Sequence, residues 1–336
     1  MKHVFGPVWS RRLGRSLGID PIPFKTCNWN CVYCQLGRTS PLTRERHDYF
    51  SSQDIVEQVH RALGNHGPDA IDWITFVGSG EPTLHAKLGM MIRQLKSSTR
   101  VPIAVITNGS LLYMPEVRRE LLQADAVLPS LDAGTDRLYR RINRPLPELT
   151  CKRLVDGLIA FRKEFSGKLW IEMMLIQGLN DSADALKDLV SVLDRVRPDE
   201  VHLNVPVRPP CEQWVEGADE KGRRRAMEIL GNTARVVHPT EGEFDLSGFD
   251  NVIDAVIGII MRHPMREEDI VKSLSCWPRS VVSDALERLS QNDQAQVVVR
   301  GGQRFWSYAG ARYVEEPSGG RHRGKRDTLK GPRDDS

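Results

Sequence analysis

The sequence has no long apolar run. The longest, VIDAVIGIIM (252–261), is too short and too charged to span a bilayer. The opening stretch MKHVFGPVWSRRLG lacks the apolar segment of a secretory signal. These two absences predict a cytoplasmic protein with no membrane contact. An excess of one sign of charge is also nearly absent: 47 basic against 44 acidic residues leave a net charge of +3, which does not by itself mark a nucleic-acid binder. No internal repeat is visible. Cysteine is scarce, six in 336 residues. Cytoplasmic thiols stay reduced, so clustered cysteines there suggest metal binding or catalysis rather than disulfides.

Half of those cysteines fall in one stretch, CNWNCVYC, as Cys27, Cys31 and Cys34. Four soft ligands would close a structural zinc site, whereas three leave one position open. Two readings follow from the spacing. One is a [4Fe–4S] cluster with one iron free for substrate or cofactor. The other is a zinc knot whose fourth ligand lies elsewhere, with His47 as a candidate.

Residues 1 to about 210 alternate between strand and helix patterns. LGIDPIPF leads into the cysteine loop. IDWITFV (71–77), VPIAVIT (101–107), DAVLPSLD (125–132), KLWIEMMLI (168–176) and EVHLNVPV (200–207) are strand-like. SSQDIVEQVHRALG, HAKLGMMIRQLKS, MPEVRRELLQ, LTCKRLVDGLIAFRKEF and SADALKDLVSVLDRV fit a helical period. Six such βα units predict an α/β fold with a parallel sheet, rolled into a partial barrel or left open. Either form places chemistry at the C-terminal ends of its strands.

After residue 210 the pattern changes. DEKGRRRAMEILGNTAR predicts one more helix. Three helices over 251–263, 266–274 and 278–290 then precede a hairpin around Gly301-Gly302. Three helices and a hairpin resemble a winged helix-turn-helix, a small α+β domain. The expected division is a barrel domain over 1–235, a linker over 236–250, the winged-helix-like domain over 251–313, and a disordered basic tail over 314–336.

The cysteine loop, with aromatic Tyr33 just before Cys34, resembles the signature of the radical S-adenosylmethionine (SAM) superfamily. The resemblance implies a partial (β/α)6 TIM-type barrel. It implies that Cys27, Cys31 and Cys34 hold a [4Fe–4S] cluster whose fourth iron binds SAM, and that the reduced cluster cleaves SAM to a 5′-deoxyadenosyl radical. It also places SAM contacts. GSGEP (78–82) matches a Gly-Gly-Glu-type motif, giving Gly80 and Glu81 to the SAM amino group. TNG (107–109) places Asn108 near the ribose or the methionyl part, and Tyr33 would lie near the adenine. Ser130 and Asp132 in SLD lie two apart on one strand face and would meet the ribose. Taken singly, GSGEP reads better as an ordinary βα turn and TNG as an Asn-Gly turn, while SLD reads equally as a strand-end cap.

The wider stretch GPVWSRRLGRSLGIDPIPFKTCNWNCVYCQLGRT resembles Fe–S oxidoreductases related to wyosine (tRNA) synthetases. Archaeal members carry a second cysteine trio upstream, and no cysteine precedes Cys27 here. The substrate is expected to be anionic, because Arg144 and Arg208 follow strand ends and precede prolines, and arginine suits carboxylate or phosphate. Cys211, beside them, is a candidate catalytic thiol, while Cys151 and Cys276 read as small buried hydrophobes. Expected partners are an electron donor such as flavodoxin or ferredoxin, with RNA or DNA contact through the C-terminal domain. The competing function is an iron–sulfur or zinc sensor that binds nucleic acid through that domain.

Overall fold

The computed structural model describes residues 2–10, 12–67, 69–237 and 251–314. Eight strands form one sheet in unbroken sequence order. β1 (Val4–Ser10) and β2 (Gly14–Ile19) make an antiparallel hairpin. β3 (Trp73–Phe76), β4 (Ile103–Thr107), β5 (Ala126–Pro129), β6 (Lys168–Met174), β7 (Glu200–Asn204) and β8 (Ala234–Val236) all run parallel to β2. The connecting helices are α1 (Ser52–Asn65), α2 (Leu88–Ser98), α3 (Pro115–Leu121), α4 (Asp136–Asn143), α5 (Cys151–Glu164), α6 (Ala183–Val196) and α7 (Glu220–Leu230).

The order decides between barrel and open sheet. A doubly wound sheet reverses its strand order at a switch point. Here the order never reverses, so the crossovers advance in one direction and the sheet curls as a partial barrel. Leu17, Ile74, Val105, Ile171 and Val201 point outward into one core with Ile55, Met91 and Leu158 of the helices. The inner face is narrower. Leu13, from the β1–β2 turn, packs there against Ala104, Ala126 and Leu128, and Arg12 from the same turn forms an ion pair with Glu172 of β6.

The strand-like segments fall on β2 to β7, and the helical periods on α1, α2, α3, α5 and α6. The helices begin where side chains cap them: Ser51, Thr150 and Ser182 accept from the amides of Asp54, Arg153 and Ala185. Three elements differ from expectation. β1 joins the sheet as an edge hairpin. The last residues of the sixth predicted helix instead form β8. The stretch Asp136–Asn143, not marked as helical above, forms α4, capped by Thr135. β8 is only three residues long and α4 only eight, too short for a periodic signal to stand out.

The C-terminal module contains α8 (Val252–Ile260), β9 (Met265–Arg266), α9 (Glu267–Ser273), α10 (Arg279–Gln291), β10 (Ala295–Arg300) and β11 (Gln303–Tyr308). Its own core holds Ile259, Ile270, Val282, Leu286 and Trp306. Gly301 and Gly302 both have positive φ, +54° and +75°, as a tight hairpin turn requires. β9 adds a third strand beside β11. Most of the expected linker (238–250) and of the expected tail (315–336) lies outside the described residues. Among the described residues, no helix is long and apolar enough to cross a membrane.

Candidate active site

The site is built where β2 to β7 end. From β2 the chain passes through Asp20 to Lys25, whose φ is 59°, and enters the cysteine loop. The loop after β3 lies directly on it. The Lys25 amide donates to the Ser79 carbonyl at 2.8 Å and the Glu81 amide to the Thr26 carbonyl at 2.9 Å. A Cβ on Gly80 would stand 2.0 Å from the Thr26 carbonyl oxygen. Glycine at position 80 is therefore demanded by contact between these two loops.

The far side of the cysteine loop is pinned to the end of α4. Val32 donates its amide to the Ile142 carbonyl at 2.9 Å, and Asn30 to the Asn143 carbonyl at 3.0 Å. Trp29 is buried against Tyr139. The helix missed in the sequence is thus what positions the three cysteines.

All three cysteines are half-buried, and each sulfur meets nitrogen donors. Cys27 Sγ lies 3.4 Å from the Trp29 amide and 3.7 Å from Asn108 Nδ2. Cys31 Sγ lies 3.6 Å from Asn143 Nδ2, and Cys34 Sγ lies 3.1 Å from Lys25 Nζ. Such donors suit sulfur that carries negative charge, as in a metal-bound thiolate. Burial pushes the Cys27 thiol up to about 12, with Glu81 adding to it, and it pushes Cys31 well above its usual value. Bound iron would supply the charge that reverses this preference.

Among the described residues, no three His, Cys, Asp or Glu side chains are placed to hold one metal ion. A tetrahedral zinc at ~2.3 Å from each sulfur would draw thiolates within ~4 Å of one another. A cubane cluster gives each thiolate its own iron and needs a wider set. His47, the candidate fourth zinc ligand, is largely exposed and pairs with Glu45. The nitrogen donors at all three sulfurs fit a cluster held by thiolates.

The acidic residues of the strand ends are buried and already satisfied. Glu81 accepts from the Thr83 amide and hydroxyl, the Thr107 hydroxyl and the Asn108 amide, at 2.6–2.9 Å. Four donors fill a carboxylate's ordinary capacity. Asp132 accepts from Tyr33 Oη and Asn143 Nδ2, both at 2.6 Å, and from the Met174 amide at 2.7 Å. Burial raises the pKa of both groups, and these hydrogen bonds oppose the rise. Asn108 donates to Asn28 Oδ1 at 2.6 Å and accepts from Ser110. Ser130 is half-buried at the end of β5, paired through its backbone with Glu172.

The arginine candidates also have partners. Glu212, 5% exposed at its side chain, pairs with Arg38 at 2.9 Å and with Arg144. Arg144 closes α4 in the left-handed conformation, φ 45°. Arg208 donates to Gln35 Oε1 at 3.2 Å, beside Cys34. Cys211 is fully buried on the loop after β7, and burial pushes its thiol up to about 12, with Cys34 contributing. Cys151 is buried as expected, whereas Cys276 is exposed in the turn before α10. Arg300 of β10 donates to the Arg208 carbonyl at 2.6 Å.

Lys25, Asn143, Glu212 and Arg38 were not singled out from the sequence. Lys25 stands two residues from Cys27 and could have been noticed. Asn143 lies 112 positions from Cys31 and carries no local signal.

The radical SAM superfamily model matches residues 22–190, from the approach to the cysteine loop through α1 to most of α6. A UPF0026 protein of Methanocaldococcus jannaschii is 37% identical over 280 residues, covering 82% of this chain and 86% of that protein. The chain belongs to the radical SAM superfamily and is an enzyme of that class. It is also 43% identical over 280 residues to a protein of Brachyspira hyodysenteriae described as GTPase Obg, covering 83% of this chain but only 39% of that protein. The crystal structure of SuiB from Streptococcus suis shares the fold at a TM-score of 0.50 and 15% identity, covering 66% of this chain and 49% of that one.

Proposed function

We propose that this protein holds a [4Fe–4S] cluster on Cys27, Cys31 and Cys34 and cleaves SAM reductively to begin radical chemistry on an anionic substrate. The observation that carries this reading is the donor set around the three sulfurs, supplied by Trp29, Asn108, Asn143 and Lys25. The cluster, when bound and reduced, supplies the electron that breaks a carbon–sulfur bond of SAM.

The residues around it divide the remaining work. Glu81 holds Thr107 and Asn108 at the end of β4, and Asp132 ties Tyr33 to β6 and α4. Both therefore act on SAM by fixing the strand ends. The backbone of Gly78–Gly80 is assigned to the SAM amino group, Ser130 to the ribose, and the Tyr33 ring to the adenine. Among the described residues, Arg38 and Arg144 share the single carboxylate of Glu212, two positive charges on one negative. That surplus supports an anionic substrate, with Arg208 on the adjoining loop and Cys211 as the thiol nearest the reaction.

The test is anaerobic reconstitution with iron and sulfide, followed by dithionite and SAM. Formation of 5′-deoxyadenosine is the expected result. A protein fully loaded with cluster that never cleaves SAM would sink the proposal.

A further inference from the structure

The C-terminal module is fastened to the loops that make the site. Arg262, just after α8, is the centre of the contact. Its side chain is 10% exposed, and its Nε donates to Asp20 Oδ2 at 3.1 Å. Asp20 is itself buried, with 4% of its side chain exposed. The same carboxylate receives the Ser79 amide at 3.1 Å and the Ser79 hydroxyl at 2.8 Å. Ser79 is the second residue of GSGEP. One buried carboxylate thus joins the module to the loop assigned to the SAM amino group.

A second connection reaches the cysteine loop. Gln35, next to Cys34, donates to the Arg262 carbonyl at 2.8 Å. The Gln35 carbonyl accepts from Tyr313 Oη at 2.7 Å. Arg38 donates its amide to the Arg312 carbonyl at 2.7 Å, and Val314 donates to the Cys211 carbonyl at 2.9 Å. A Cβ on Gly37 would meet the Arg312 backbone at 2.5 Å, so chain lies against chain along this seam. Phe24 packs edge-on against Tyr308, with centroids 5.0 Å apart.

We infer that docking of the C-terminal module and binding of SAM are one coupled equilibrium, transmitted through Arg262, Asp20 and Ser79. Arg262 and Asp20 are positioning residues: they touch neither cluster nor SAM and set the loop that does. An ion pair this dry is sensitive to loss of one partner, because the other charge stays buried without compensation. Undocking Arg262 therefore disturbs Asp20 and the Ser79 amide it anchors. Coupling is reciprocal by thermodynamic necessity, so SAM must also tighten the module. A ligand that engages the outer face of the module then modulates SAM affinity at the barrel.

The inference rests on the SAM site proposed above, and its test separates the two. Full-length, cluster-loaded protein is compared as wild type, Arg262→Ala, Arg262→Lys and Asp20→Asn. SAM affinity is read by anaerobic equilibrium dialysis, and amide exchange across 251–314 is followed by mass spectrometry with and without SAM. In the wild type, SAM is expected to slow exchange around Arg262 and Tyr313. Arg262→Ala and Asp20→Asn are expected to weaken SAM by about fivefold or more with the cluster absorbance retained, and to abolish the SAM-dependent protection. Arg262→Lys, which keeps the charge, is expected to recover part of both. If Arg262→Ala does not fold, Ser79→Ala removes the hydroxyl half of the same relay on the barrel side, leaving the amide bond, and is read by the SAM-dependent protection of the module. Wild-type affinity in the folded variants, or module exchange indifferent to bound SAM, overturns the coupling and leaves the radical SAM reading standing. A wild type that takes up cluster but binds no SAM overturns that reading instead.

Discussion

Lys25 Nζ lies 3.1 Å from Cys34 Sγ. The ammonium is held there by a left-handed backbone at Lys25 and by the hydrogen bond from its amide to Ser79. Reducing a thiolate-held cluster adds negative charge, and a cation at hydrogen-bond distance favours the reduced form. Lys25→Met is therefore expected to shift the cluster potential to more negative values, and Lys25→Arg to shift it less. A redox titration followed by electron paramagnetic resonance, without SAM, measures this. Equal potentials in all three proteins would remove Lys25 from the electrostatics of the site.

The ligand assignment makes a sharper demand. Cys27→Ala, Cys31→Ala or Cys34→Ala is expected to remove most of the visible absorbance of reconstituted protein and all SAM cleavage. Cys151→Ala and Cys276→Ala are expected to leave both intact, since one cysteine begins α5 and the other lies exposed before α10. Bleaching by either of the latter would show the assignment to be wrong.

Gly80→Ala tests the contact between the two loops. Its Cβ would fall 2.0 Å from the Thr26 carbonyl oxygen and 2.8 Å from the Thr26 carbonyl carbon. Backbone cannot rotate away as a side chain can. Overpacking of this kind costs on the order of 1–3 kcal/mol. The expected result is a lower denaturation midpoint together with reduced iron uptake. Unchanged iron content would mean that the cysteine loop tolerates displacement of its neighbour.

Asp132→Asn keeps the shape and replaces one acceptor with a donor. Tyr33 Oη, Asn143 Nδ2 and the Met174 amide all donate to this carboxylate. At least one buried donor then faces another donor, at a cost of about 1–3 kcal/mol. The expected outcome is loss of stability in the cluster-free protein and weaker SAM binding in the loaded one. Stability equal to wild type in thermal melts would contradict it.

Glu212 supplies a pH test. Burial raises its pKa, but Arg38 and Arg144 outweigh burial, so its carboxyl sits below the usual glutamate value. A pKa lower in the folded than in the unfolded state gives stability that is present above the unfolded value. That stability is lost as pH falls through the folded one. Wild-type and Glu212→Gln proteins, both cluster-free, should differ in urea midpoint at pH 7. They should converge as pH falls through the folded value, which lies below the ordinary glutamate pKa. A gap that persists in acid would assign the difference to shape rather than charge.

Much of this was legible in the sequence, and the reason is locality. Period and capping residues lie within a few positions of one another, so β2 to β7 and five of the barrel helices declare themselves. The three cysteines share one loop, and the glycines of the hairpin sit side by side. What only the tertiary structure decided depends on residues far apart. Asn143 meets Cys31 across 112 positions and Arg262 meets Asp20 across 242. The sequence marked Gly80, Glu81 and Asp132 as special, but their neighbours decided how. Gly80 yields room to Thr26, and the two carboxylates are filled by the chain's own donors. A buried acid must find partners wherever the fold brings them, and no local pattern says which they are.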